Sequence, residues 1–398
     1  MKLMPAVALI LFNKSALGQR SHGKKISVAF DRFTVNETSS NNNRGFQSAF
    51  EKIPLTYVYV AVFFGYVIIY VIFLFLYERE KKTLEDSESP APTRLTRLLK
   101  SFLRLIYGKS EIERIVASDG DSLSLVTVKL SRSLMNSKQL LEIGDIVSHG
   151  SFFSPSDLRD RIVRLKKIKG SQQDRVQTTL LRSLHAVHYI HTVLLRIEKM
   201  QATHFSNQNR LHLELLDEYW DDMMPDAQRK TASQWKEVGF HGDDPAMELE
   251  GTGILGLLQL TYFARMHPSE ARGALRESRN PDDEYPFTFA GITVTSFIME
   301  LARGRHIHYK LLELLEAEIA ARPEIMTFDE KLSQRQQGPS TYGDLVEKGC
   351  NVVHDLYCEV IMKFCALWGE QKRSKGTSFQ TVMDDVKDEM KQKYKRHI

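Results

Sequence analysis

The chain has 398 residues, 42% of them hydrophobic and 26% charged, and a formal net charge of +4. These values exclude a collagen-like, a wholly disordered and a small disulfide-stapled protein, and the charge is too small to argue for nucleic acid by itself. Three cysteines (Cys350, Cys358 and Cys365) make no disulfide framework. At about 150 residues per domain the length allows two or three units.

A mean hydropathy of −0.30 conceals an uneven distribution. Residues 1–52 read as a polar N-terminal tail. Met1-Lys2, the apolar run Leu3 to Phe12 and Ala16-Leu17-Gly18 give residues 1–18 the form of a signal peptide, with an uncleaved tail as the alternative. Asn36-Glu37-Thr38 is a glycosylation sequon, of consequence only on a lumenal side.

Residues 53–77, Ile53 to Tyr77, carry no charge and are rich in Val, Ile, Phe and Tyr. As a helix they would extend about 37 Å, against about 30 Å for a bilayer core, so a single transmembrane helix is expected here. Arg44 and Lys52 lie before it; Arg79, Lys81, Lys82, Arg94, Arg97 and Lys100 follow it. That asymmetry places the C-terminal body in the cytosol.

Residues 78–93 read as a charged linker ending in Ser-Pro-Ala-Pro. In residues 94–107, Leu95, Leu98, Leu99, Phe102, Leu103 and Ile106 share one helical face, with Arg94, Arg97, Lys100 and Arg104 opposite. Such a helix either lies on anionic lipid or packs on its own domain. Beyond it apolar spacing is helical, as in Leu180, Leu184, Val187, Ile190 and Leu194. Convincing strand alternation and internal repeats are missing. The expected fold is all-α: a helical juxtamembrane region over 94–205, a helical domain over 206–385 and a basic tail over 386–398.

Gly251-Thr252-Gly253-Ile254-Leu255-Gly256 spells a dinucleotide fingerprint, but the preceding Pro245 to Glu250 does not read as a buried strand, and Glu248 and Glu250 would repel a pyrophosphate. The glycines are better read as permitting a tight turn and close helix approach. Cys350, His354 and Cys358 share a helix face, yet positions 350 and 358 stand about 12 Å apart along it, too far for one zinc ion. His185, His188 and His191 lack companions with ligand spacing. No cofactor or metal is expected, and no self-contained hydrolase or kinase motif occurs.

Trp235-Lys236-Glu237-Val238-Gly239-Phe240-His241-Gly242-Asp243-Asp244-Pro245, followed by Gly251-Thr252-Gly253-Ile254-Leu255-Gly256-Leu257, resembles the ELMO-domain signature W-x-x-x-G-F-Q-G-x-D-P and R-G-x-G-x-L-G-L. Tyr285-Pro286-Phe287 with Gly291-Ile292-Thr293 resembles a later block of that family, as does Leu356-Tyr357-Cys358 with Trp368 and Phe379-Gln380-Thr381-Val382. Ile106-Tyr107-Gly108-Lys109-Ser110-Glu111-Ile112 resembles the segment just after the membrane-associated start of the short ELMO-domain-containing proteins.

The resemblance implies a regulator of Arf-family or Arf-like small GTPases on endomembranes, with the endoplasmic reticulum expected. It implies a GTPase-contacting set of Trp235, Gly239, Phe240, His241, Asp244, Pro245, Gly251 and Gly253. The long engulfment branch, which couples to Rac exchange factors, carries flanking domains for which this chain has no room. In the family an arginine just before the R-G-x-G glycine stabilises charge on the transferring phosphoryl group; the matching residue here is Glu250. A carboxylate opposes developing negative charge, and the family's glutamine has become His241. Two readings follow: a GTPase activator whose finger position is altered, or a catalytically silent adaptor that binds without touching hydrolysis.

Overall fold

The computed structural model describes residues 55–86, 98, 101, 104, 108–117, 120–149, 153–168, 173–227, 232–281, 284–322, 341–372 and 378–395. The suggested signal peptide, the sequon and most of residues 94–107 lie outside them. The chain divides into two compact units at Leu76/Tyr77. Among the described residues the regular elements are all helical, as the periodicity implies.

The membrane expectation is corrected. The charge-free run does form a helix, α1 (Leu55–Asp86), but among the described residues no helix is long and apolar enough to cross a membrane. Hydroxyls of Tyr57, Tyr59, Tyr66 and Tyr70 recur along α1, and the helix continues to Asp86. A run without charges is therefore not a helix made only of hydrocarbon. The single-pass anchor, and the orientation argued from it, fall with this finding.

In the second unit lies α2 (Glu111–Val116). Ser110 and Glu113 form a reciprocal cap: the Ser110 amide donates to Glu113 Oε2 at 2.6 Å and the Glu113 amide to Ser110 Oγ at 3.2 Å. There follow α3 (Leu123–Met135), α4 (Leu141–His149) and α5 (Pro155–Lys166), the last started by Ser154 and a proline in its first turn. Ile112, Leu130, Leu134, Ile143, Leu158 and Ile162 make a small aliphatic core there.

The 30-residue helix α6 (Gln173–Ala202) joins this core to a larger one. Leu180 and Leu184 face the small core; Tyr189, Ile190, Val193 and Ile197 face the large one. The large core is built by α7 (Arg210–Met223), a 3-10 segment (Ala232–Val238), α8 (Pro245–Leu249), α9 (Gly253–Met266), α10 (Pro268–Glu277), α11 (Phe287–Arg303), α12 (His308–Ala321), α13 (Thr341–Lys372) and α14 (Phe379–Lys395). Helix α9 is its centre, packed against α6, α7, α11 and α13. It is buried nearly all round, the pattern of an internal helix rather than a surface one.

Candidate functional site

The motif from Trp235 to Gly256 folds as a bent connection laid over the α7–α9 layer. Trp235 and Phe240 are both buried. Trp235 meets Trp220 edge-on at 5.9 Å between ring centroids, and Phe240 meets Tyr219 at 6.0 Å. The Tyr219 hydroxyl donates to the Val238 carbonyl at 2.8 Å, and Arg279 donates to the carbonyls of Lys236 and Glu237. These bonds satisfy the Val238 and Glu237 carbonyls and add to the bond that the Lys236 carbonyl accepts from the Gly239 amide at 3.2 Å.

Gly239 turns the chain out of that segment at φ +99°. A Cβ there would stand 2.8 Å from Phe287 Cδ1 and in a left-handed conformation, so both space and torsion require glycine. Immediately after it the loop surfaces at His241. The amides of His241 and Gly242 both donate to Glu248 Oε1, at 2.6 and 3.2 Å. One carboxylate thereby fixes the loop from the far end of α8. Asp244 caps α8: its Oδ1 accepts from the Ala246 amide at 3.0 Å and from Asn207 Nδ2 at 3.1 Å. Pro245 follows, buried at the helix start.

At the other end of α8, Leu249 is fully buried while Glu250 and Gly251 face solvent. Gly253 then opens α9 at φ +57°; a Cβ there would overlap the backbone carbonyls of Gln201 and Thr203 at the end of α6. The Ile254 amide donates to the Thr203 carbonyl at 2.8 Å, so an α9 N-terminal donor is satisfied by the chain just after α6. The element before this glycine motif is the short helix α8 and not a strand, which agrees with reading the glycines as packing residues.

The structure thus divides the sequence-derived set. Trp235, Phe240, Pro245 and Gly253 are buried frame, and Gly239 is a backbone hinge. His241, Asp244, Glu250 and Gly251 are exposed. Met247, on α8 between them, has 72% of its surface exposed; no motif singled it out, and the signal available was its place one turn from Asp244 on a helix whose Pro245 and Leu249 point inward. Glu250 has no ion-pair partner among the described residues, whereas Asp243 pairs with Lys236 at 3.3 Å.

Among the described residues no group of three or more His, Cys, Asp or Glu side chains is placed to hold a metal. Cys350 and Cys358 are buried on α13, and burial pushes their thiols up, to about 11 and about 12. His354 between them is held low, to about 4, by burial, with Asp355 opposing.

An all-helical domain organised around a buried, glycine-started helix, with a frame of Trp235, Phe240 and Pro245 under an exposed turn, corresponds to a known family. The model of the ELMO/CED-12 family matches residues 195–383, and the chain belongs to that family. It is 33% identical over 227 residues to ELMO domain-containing protein B of Dictyostelium discoideum, covering 54% of this chain and 76% of that protein. To the human ELMO domain-containing protein 2 it is 24% identical over 276 residues, 69% of this chain and 83% of the relative. The human ELMO domain-containing protein 1 is 30% identical over 189 residues, 47% of this chain and 56% of the relative.

Proposed function

We propose that the chain regulates Arf-family small GTPases, which it engages through the turn formed by His241, Asp244, Met247, Glu250 and Gly251. Family membership motivates the partner class. The observation that carries the placement is the contrast within one short motif: its large apolar residues are sunk in the core, while Met247 stands 72% exposed between two polar positions. An exposed methionine on a rigid, polar-rimmed turn is the composition expected of a protein contact. A cytosolic place beside such GTPases, on the endoplasmic reticulum and related membranes, goes with this reading.

The test is binding to a panel of Arf and Arf-like GTPases, loaded with GDP or with a non-hydrolysable GTP analogue. Preference for the GTP form by at least one member is expected, and Met247→Asp should weaken it about tenfold or more. Indifference of every member in both nucleotide states ends the reading. A second reading, an adaptor that leaves hydrolysis alone, is favoured by Glu250. It requires partners bound equally in both nucleotide states.

A further inference from the structure

We propose that the end of α5 and the start of α4 form a peripheral lipid-binding surface, at which Arg164 and Lys167 meet anionic headgroups while Leu141 and Leu165 enter the bilayer interface. The surface belongs to the small core, does not rest on the GTPase reading and needs no spanning helix.

The sequence supplies the charge. Arg161, Arg164, Lys166, Lys167 and Lys169 are the charged members of residues 161–169, and none is acidic. Helix α5 then sorts its side chains by face. Leu158 and Ile162 are buried in the small core, and Arg164, Leu165 and Lys167 are exposed.

Cross-links hold this end of α5 against the segment that leads into α4. Arg161 Nη2 pairs with Glu142 Oε2 at 2.5 Å. Lys166 Nζ donates to Ser137 Oγ at 2.9 Å and to Gln139 Oε1 at 3.1 Å. The segment they reach is the 3-10 turn Lys138–Leu140 with the first residues of α4. The bonds bracket two leucines: Leu165 lies between Arg161 and Lys166, and Leu141 between Gln139 and Glu142. Leu140 and Ile143 fill the core on either side of Leu141, which is itself 60% exposed, and Leu165 is 49% exposed.

Two observations favour an anionic surface as the occupant. First, Arg164 and Lys167 have no ion-pair partner among the described residues, while the nearby Asp160 and Glu142 are engaged by Arg159 and Arg161. Their charge therefore stands uncancelled beside the leucines. Second, Lys167 ends α5 in the left-handed conformation, at φ +54°. Its amide and that of Ile168 donate back to the carbonyls of Arg164 and Val163, at 3.3 and 3.1 Å, a closing pattern in which glycine is usual. Lysine bears a torsional cost there that glycine avoids, and what it adds is an exposed cation.

A single exposed leucine needs no partner. Two of them beside unpaired cations on long apolar stems match the edge of an anionic bilayer, where apolar tips enter and basic heads reach the phosphates. An acidic polypeptide would use the same charges, but it would read the planar fork of an arginine, which a membrane does not.

The experiment is flotation of the full chain with vesicles of phosphatidylcholine, or of phosphatidylcholine and phosphatidylserine in equal parts, at low and high salt, with thermal melting of each variant. Wild type should bind the anionic vesicles about tenfold or more tighter than the neutral ones and lose that preference at high salt. Arg164→Gln with Lys167→Gly should weaken anionic binding about tenfold, and it should not lower the melting temperature, because glycine relieves the torsion at 167. Leu141→Gln with Leu165→Gln should weaken it about tenfold and keep the salt dependence. Arg164→Lys should bind as wild type does. The proposal is overturned by failure to bind either vesicle, by equal binding to both, or by wild-type affinity in either double variant. It is also overturned if a poly-glutamate peptide binds more tightly than the anionic vesicles, which would assign the patch to an acidic polypeptide.

Discussion

The two cores of the C-terminal unit are built from different side chains, and the difference marks where the exposed turn can exist. The small core on α2–α5 is almost wholly aliphatic, with Phe153 its one buried aromatic ring among the described residues. The large core gathers Trp220, Trp235, Phe240, Phe263, Phe297, Tyr357 and Phe364. Aliphatic side chains fill the space between regular helices. Flat rings with polar edges can also brace backbone that is not helical, as Tyr219 does by donating to the Val238 carbonyl. The bent segment from Trp235 to Gly253 lies on the aromatic side. Helix α6 belongs to both cores, so the comparison can be tested by breaking one and watching the other.

The largest effect is expected at Gly253. Gly253→Val places a branched side chain at φ +57° against two backbone carbonyls and should cost about 4 kcal/mol or more, the upper end for single substitutions. Loss of a cooperative thermal transition would show it, and a wild-type melting temperature would refute the packing described. Next come the two cores themselves. Trp235→Ala should cost about 3–5 kcal/mol and Leu134→Ala about 2–5 kcal/mol by urea unfolding. All three tryptophans are in the large core, so their fluorescence reports that core alone. If α6 couples the cores, Leu134→Ala shifts the fluorescence and far-ultraviolet circular dichroism midpoints together; separate midpoints would show two independent units.

A smaller effect concerns pH. His191 and His354 are both held to about 4, chiefly by burial. For His191 the Val147 carbonyl opposes that shift and the nearby His188 and Arg305 charges add to it. An unfolded histidine titrates near about 6.5. Between these values the unfolded chain holds more protons, so stability rises with pH there and is lost as pH falls below about 6.5. At pH 5 each residue should remove on the order of 2 kcal/mol. His185 and His308 are lowered by burial as well, so urea midpoints at pH 7 and pH 5 measure the sum over all four, and His354→Phe should reduce the difference by its share.

The smallest expected change is a gain. Gln259 is fully buried in α9, and among the described residues neither its side-chain oxygen nor its nitrogen has a hydrogen-bond partner. Gln259→Leu keeps most of the volume and removes the desolvated amide, so it should stabilise by about 1 kcal/mol. Unchanged or lower stability by urea unfolding would place an ordered water on that amide.

Much of the fold is legible in the order of the residues. Caps such as Ser110 with Glu113 and Asp244 with Pro245 are local, because a cap and its helix are neighbours along the chain. The Gly251–Gly256 motif can be separated from a nucleotide site because the element before it lies in the adjacent residues. The membrane reading fails because an absence of charge is visible in a string of letters while sufficient apolar length is a stricter condition, and among the described residues no helix meets it. The candidate contact set is half frame and half surface. Trp235, Phe240 and Gly253 share one motif with Glu250, and spacing alone cannot say which of them faces water.

By itself the sequence determined the all-helical class and the family, since propensity and motif spacing are properties of the chain in order. Tertiary structure alone decided which motif residues are exposed and which backbone Gly253 closes against. Gln201 and Arg303 are 102 positions apart and hydrogen-bonded. Such a pair exists only once helix packing has brought the ends of α6 and α11 together.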